Sequence, residues 1–177
     1  MYKIKELLRL DQKLFHTKDL GRMWGITNLN TLYTTIKRYT QKGILTPVRK
    51  GLYATAPLDR IDPVRLGLAV VHNYAYLSCE TVLVREGMIF QAVQAITLVS
   101  VKSRKFEVGG GNYIVRQLNP VFLYQTIGIN DSKGYLEASP ERAVADMLYF
   151  NPRYHFDGAD RIDWKAVKLI QKQMGYL

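Results

Sequence analysis

The chain has 177 residues, 47% of them hydrophobic, with a single cysteine and a formal net charge of +10. That length and apolar content suit one or two core-forming domains. One cysteine excludes an internal disulfide framework or a multi-cysteine zinc site, and no run approaches the ~18 apolar residues of a membrane-spanning helix. The basicity is concentrated at one end, since residues 1–60 hold 12 Lys+Arg against 4 Asp+Glu and residues 61–177 hold 13 against 11. Such asymmetry suggests a polyanionic partner for the N-terminal segment.

In chain order, Tyr2 to Leu10 places Ile4, Leu7 and Leu8 at helical spacing among charged residues, as in a short amphipathic helix. The same stretch is too polar for a signal peptide, so a cytoplasmic location is expected. Asp11 to His16 reads as a loop. Thr17 is placed to cap a second helix, "KDLGRMWG", with Asp19 in the first turn and Gly25 as its stop. "ITNLN" offers Asn28 or Asn30 as the cap of a third helix, in which Leu32, Ile36 and Tyr39 recur at i, i+4, i+7 until Gly43. A rotation of ~100° per residue puts Asn30, Thr34, Lys37, Arg38 and Gln41 on the opposite, acid-free side. "ILTPV" and "LYATA" around "RKG" then read as a β-hairpin, with Gly51 suited to a positive φ and Pro47 to an edge strand.

Helix, helix, turn, helix and hairpin together predict a winged helix-turn-helix over residues 1–60, a unit suited to double-stranded DNA. A helix of ~10–12 Å diameter fits the ~12 Å major groove, and a basic hairpin tip reaches a flanking phosphate or the minor groove. Asn30, Thr34 and Arg38 are the candidates for base edges. Lys37, Lys42, Arg49 and Lys50, with Thr17 and Lys18 at the start of the second helix, are the candidates for phosphates. Asn28 and Thr31 at the start of the third helix complete the DNA-binding set. A winged helix that docks only onto a protein is the competing reading.

"APLDRIDP" is a connector, and Pro63 opens a further helix, "VRLGLAVVH", in a second domain of residues 61–177. "AYLSCETVLVREGM" reads as a helix capped by Ser78, with Cys79 a small buried side chain. "AITLVSVKS", "KFEV", "NYIVRQL" and "FLYQTIGI" read as antiparallel strands, and "SPERAVADMLYF" and "DWKAVKLIQKQMG" as the last helices. The expected fold class is α+β, with short helices packed on an antiparallel sheet behind the winged helix.

Little in the sequence points to catalysis, and no enzymatic activity, metal or cofactor is expected. His16, His72 and His155 are scattered, without partners at metal-ligand spacing. "GGGN" lacks the Lys-Ser/Thr and the helix of a phosphate loop and reads as a hairpin turn. Glu137, Glu141 and Asp146 could serve a metal-dependent nuclease, but Glu141 suits a helix first turn and Asp146 a bond to Arg142 at i−4.

Four fragments in order, "TLYTTIKRYTQKGILTPVRKGLYA", "AYLSCETVLVREGMI", "FEVGGGNYIV" and "LEASPERAVADMLYF", give most of residues 17 to 150 the look of one family. The chain resembles a compact member of the AbiEi antitoxins of type IV toxin–antitoxin systems. The resemblance implies an N-terminal domain that binds promoter repeats as a repressor, with more than one copy on the DNA. It also implies a C-terminal domain that helps neutralise a nucleotidyltransferase-like toxin, for which direct toxin contact is not required.

Overall fold

The computed structural model describes Leu7, residues 10–131 and residues 134–176, and divides the chain into two units, residues 1–70 and 71–177. The junction expected near residue 60 therefore falls about one helix later. The helix expected over Tyr2 to Leu10 lies, but for Leu7 and Leu10, outside the described residues. Among those residues the protein is α+β, with seven α-helices and two sheets.

In the first unit, β1 (Leu14–His16) leads into α1 (Thr17–Trp24) and α2 (Leu29–Gln41), followed by β2 (Thr46–Arg49), β3 (Leu52–Ala54) and α3 (Pro63–Val71). β3 lies between β1 and β2 and is antiparallel to both. The loop expected over Asp11 to His16 thus ends in a strand. Three residues are too few to display a period, and the partner of β1, whose Phe15 faces Tyr53, comes from far along the chain. Pro47 sits on the edge strand β2, where its missing N–H costs no ladder bond. Phe15, Leu20, Trp24, Leu32, Ile36, Tyr39 and Leu45 form the core, joined by Leu7. The Trp24 and Tyr39 rings meet edge to face with centroids 5.3 Å apart. Gly21 lets α1 approach α2, since a Cβ there would stand 3.1 Å from Leu32 Cδ2.

α1 is capped by His16 rather than Thr17, because the Asp19 carboxylate reaches back to accept the His16 N–H, Oδ2 at 3.1 Å, and Thr17 already lies within the helix.

The second unit is built on a six-stranded sheet of order β6-β7-β5-β4-β9-β8, from β4 (Ala75–Leu77), β5 (Ala95–Ser100), β6 (Arg104–Val108), β7 (Gly111–Gln117), β8 (Ile129–Asn130) and β9 (Glu137–Ala138). α4 (Glu80–Arg85), α5 (Pro120–Leu123), α6 (Pro140–Phe150) and α7 (Trp164–Met174) complete it. The sheet is mixed, not antiparallel: β5 runs parallel to β7, and β4 to β9. β7, with Tyr113 and Val115 buried, takes the interior position, and the charged β6 is left at the edge. β6 and β7 form a hairpin through Gly109 and Gly110, so "GGGN" lies at a turn.

Two further expectations are corrected. "AYLSCETVLVREGM" begins as strand β4, and its helix is capped by Cys79 (φ 55°), since Ser78 is in use elsewhere. "FLYQTIGI" is not a strand, because Asn119 Oδ1 accepts the Val121 N–H (3.0 Å) and, with Pro120 at the first position, starts the short α5.

Ser78 belongs to a buried polar network around α6. The Arg142 and Asp146 side chains are both 0% exposed and paired, Nε to Oδ1, at 2.8 Å. Asp146 Oδ1 also accepts the Tyr176 hydroxyl (2.6 Å), and Oδ2 accepts those of Tyr76 (3.0 Å) and Ser78 (2.9 Å). Arg142 Nη1 donates to the Ile127 carbonyl (2.7 Å) and Nη2 to the Tyr76 hydroxyl (2.9 Å). Burial, and then the Asp146 carboxylate, push the Tyr76 and Tyr176 hydroxyls far above the usual phenol range. Burial alone would lower Arg142, but Asp146 beside it outweighs that and holds it above its ordinary value.

Asp146→Asn leaves Arg142 as an uncompensated buried charge and is expected to destabilise the second unit by about 3–5 kcal/mol. The check is a lower urea midpoint of Trp164 fluorescence in the Trp24→Phe chain. An unchanged midpoint would rule out the network as a stability determinant.

Candidate nucleic-acid interface

α2 has one apolar side. Leu32, Ile36 and Tyr39 are buried in the core, and this sets the rotation of the helix so that Asn30, Thr34, Lys37, Arg38 and Gln41 are exposed on the opposite side. Asn30, Thr31, Thr34, Thr35 and Arg38 line a shallow concave strip along it. No acidic residue occurs between Asp19 and Asp59, a stretch that carries Arg22, Lys37, Arg38, Lys42, Arg49 and Lys50. The α2 surface is therefore polar and cationic, about 20 Å long at 1.5 Å per residue.

The structure separates the sequence-derived candidates by what their polar atoms already do. Asn28, not Asn30, caps α2: its Oδ1 accepts the Thr31 N–H at 3.1 Å, with the Thr31 hydroxyl at 3.4 Å, so both residues serve the helix start. Asn30 keeps its amide at the surface. The Thr34 hydroxyl donates to the Asn30 carbonyl and that of Thr35 to the Thr31 carbonyl, both at 2.8 Å, which leaves each threonine an acceptor lone pair and a methyl group. Arg38 lies with its guanidinium carbon 5.5 Å from the centre of the Tyr39 ring.

The hairpin tip is tied down. Arg49 and Lys50 are exposed at the turn, where Gly51 takes φ +81°, and the Gly51 carbonyl accepts the Thr17 N–H at 2.9 Å and the Thr17 hydroxyl at 3.4 Å. Thr17, expected to face phosphate, thus spends both donors on the hairpin. Lys18, next along α1, is exposed. Residue spacing did not single out Thr35, Leu29 or Tyr33. Thr35 lines the concave strip, and Leu29 and Tyr33 are large apolar side chains left 61% and 54% exposed on α2. The ~100° rotation puts Tyr33 outside the apolar arc, but it puts Leu29 only about 20° from Ile36, and Leu29 is left exposed because it is the first residue of the helix.

The acids weighed for a nuclease are not gathered at a surface. Asp146 has both oxygens taken inside the network, and Glu137 pairs with Arg85. Among the described residues no group of three or more His, Cys, Asp or Glu side chains is placed to hold a metal ion, and no helix is long and apolar enough to cross a membrane.

No protein-family model matches the sequence, and no curated protein matches it. Among solved structures, the RV2827C protein from Mycobacterium tuberculosis is similar in fold: TM-score 0.54, 12% sequence identity, covering 96% of this chain and 69% of that one.

The assignment of Asn28 to capping has a direct check. Asn28→Ala is expected to cost about 0.5–2 kcal/mol of stability in the first unit, and Asn28→Ser, which keeps a capping oxygen, only a few tenths. Equal losses in urea titrations of the two variants would contradict it.

Proposed function

We propose that this chain is a sequence-specific regulator that binds double-stranded DNA through a winged helix-turn-helix in its first unit. α2 is the recognition helix and the β2–β3 hairpin the wing. The observation that carries this reading is the exposed, acid-free side of α2 opposite the buried Leu32, Ile36 and Tyr39. A cationic helix of that diameter suits the major groove, where Asn30, Thr34 and Arg38 meet base edges. Lys18, Lys37, Lys42, Arg49 and Lys50 neutralise phosphates and make binding salt-dependent. The Thr17–Gly51 hydrogen bonds hold the wing at the start of α1. A protein-docking winged helix would have no need of a long acid-free stretch.

The resemblance to AbiEi antitoxins extends the proposal. On that reading the protein is a cytoplasmic repressor of its own operon, repeat operators take more than one copy, and the second unit counteracts a nucleotidyltransferase-like toxin. Co-expression with a nucleotidyltransferase-like neighbour, if its gene adjoins this one, tests that half: growth restored by the full chain supports it, and growth arrest regardless of the chain refutes it.

For the DNA half, Arg38→Ala is expected to cost about 1–3 kcal/mol at one cognate base pair and to relax specificity there. Lys50→Ala should weaken all duplexes alike and lower the salt slope by about 1. A gel-shift series in which both variants lose affinity equally on specific and random duplex would refute this division of roles, and salt-independent or absent duplex binding would refute the proposal.

A further inference from the structure

The surface of α2 is divided along its length. Its first two turns, Leu29 to Ile36, carry no charge, and every cation of the helix comes at or after Lys37. Leu29, Tyr33 and Lys37 succeed one another at i, i+4, i+8 along one flank, and Asn30, Thr34 and Arg38 along the next. The uncharged half therefore presents the exposed Leu29 and Tyr33 side chains, the Asn30 amide and the methyl groups of Thr34 and Thr35, whose hydroxyl protons are held by backbone carbonyls. A surface meant only to attract phosphates has no use for two large exposed apolar side chains on its leading turns.

We infer that the uncharged half of α2 reads A·T pairs in the major groove, through thymine methyl groups packed against Tyr33 and Thr34 and through adenine held by Asn30; this rests on the DNA-binding reading above. The chemistry matches group by group. Only thymine places a methyl in the major groove, and adenine offers there the N7 acceptor and N6 donor that an asparagine amide answers with two hydrogen bonds. A threonine whose hydroxyl proton is spent cannot donate to guanine O6 or N7, but its methyl packs against another methyl and its oxygen accepts from an amino group. Beyond this half, Arg38 continues the flank of Asn30 and Thr34 to a further base edge, and Lys37 and Lys42 follow toward the backbone.

The test has two steps with the full-length chain. Duplexes are first selected from a random pool, and each thymine in the tightest is then replaced by deoxyuridine, which removes the 5-methyl group and leaves base pairing intact. The expected result is an A·T-rich site with a loss of about fourfold at one or two thymines, the effect of exposing one methyl group. Tyr33→Ser and Thr34→Ser should each abolish that sensitivity at one thymine and leave the salt slope unchanged. Thr34→Ser keeps the hydroxyl that bonds to Asn30 and deletes only the methyl. A G·C-rich site, or uracil tolerated within twofold everywhere, overturns this inference while DNA binding stands. No selectable duplex overturns both.

Discussion

The burial of Leu32, Ile36 and Tyr39 sets the rotation of α2 about its own axis, and the rest of the first unit's surface chemistry follows from that single constraint. A helix that packs three large side chains into a core has no freedom to turn, so the residues half a turn away are presented to solvent with fixed spacing. Trp24 closes the arrangement by meeting Tyr39 edge to face, and Gly21 allows α1 to lie close. Asn30, Thr34 and Arg38 hold their positions because of residues that never reach the surface.

The hairpin is placed by a different kind of interaction. A β-turn on an edge is ordinarily free to sway, but the Gly51 carbonyl accepts both donors of Thr17, which couples the tip to the first turn of α1. The left-handed φ at Gly51 aims that carbonyl, and a larger residue there would strain the turn. Arg49 and Lys50 thus project from a backbone anchored to a helix, which limits the entropy lost when such side chains engage a ligand.

In the second unit, buried charge does the organising. Arg142 and Asp146 lie one helical turn apart on α6, and between them they bind groups on β4, on the segment before β8 and at the C-terminal end of the chain. Desolvating two charges is expensive, and the cost is offset only because both Asp146 oxygens and all three Arg142 nitrogens have partners. These directional bonds tie α6 to β4, to the segment before β8 and to Tyr176, with orientation requirements that apolar contacts lack.

Local chemistry left clear marks in the chain. The i, i+4, i+7 spacing of Leu32, Ile36 and Tyr39, Pro63 at the start of α3 and the adjacent glycines at 109 and 110 act within a few residues, and each was readable from the sequence. The acid-free character of residues 20–58 is likewise a property of composition alone. What needed the folded chain were choices between partners distant in sequence. β1 exists because β3 offers it an edge, and β7 displaces β6 from beside β5 because it is the more apolar. Ser78 abandons a capping role because Asp146 stands 2.9 Å away, and Thr17 turns from phosphate to Gly51. A residue's neighbours along the chain determine which backbone conformation it prefers, but its hydrogen-bonding and packing partners are set by which surfaces meet, and only the tertiary structure contains that information.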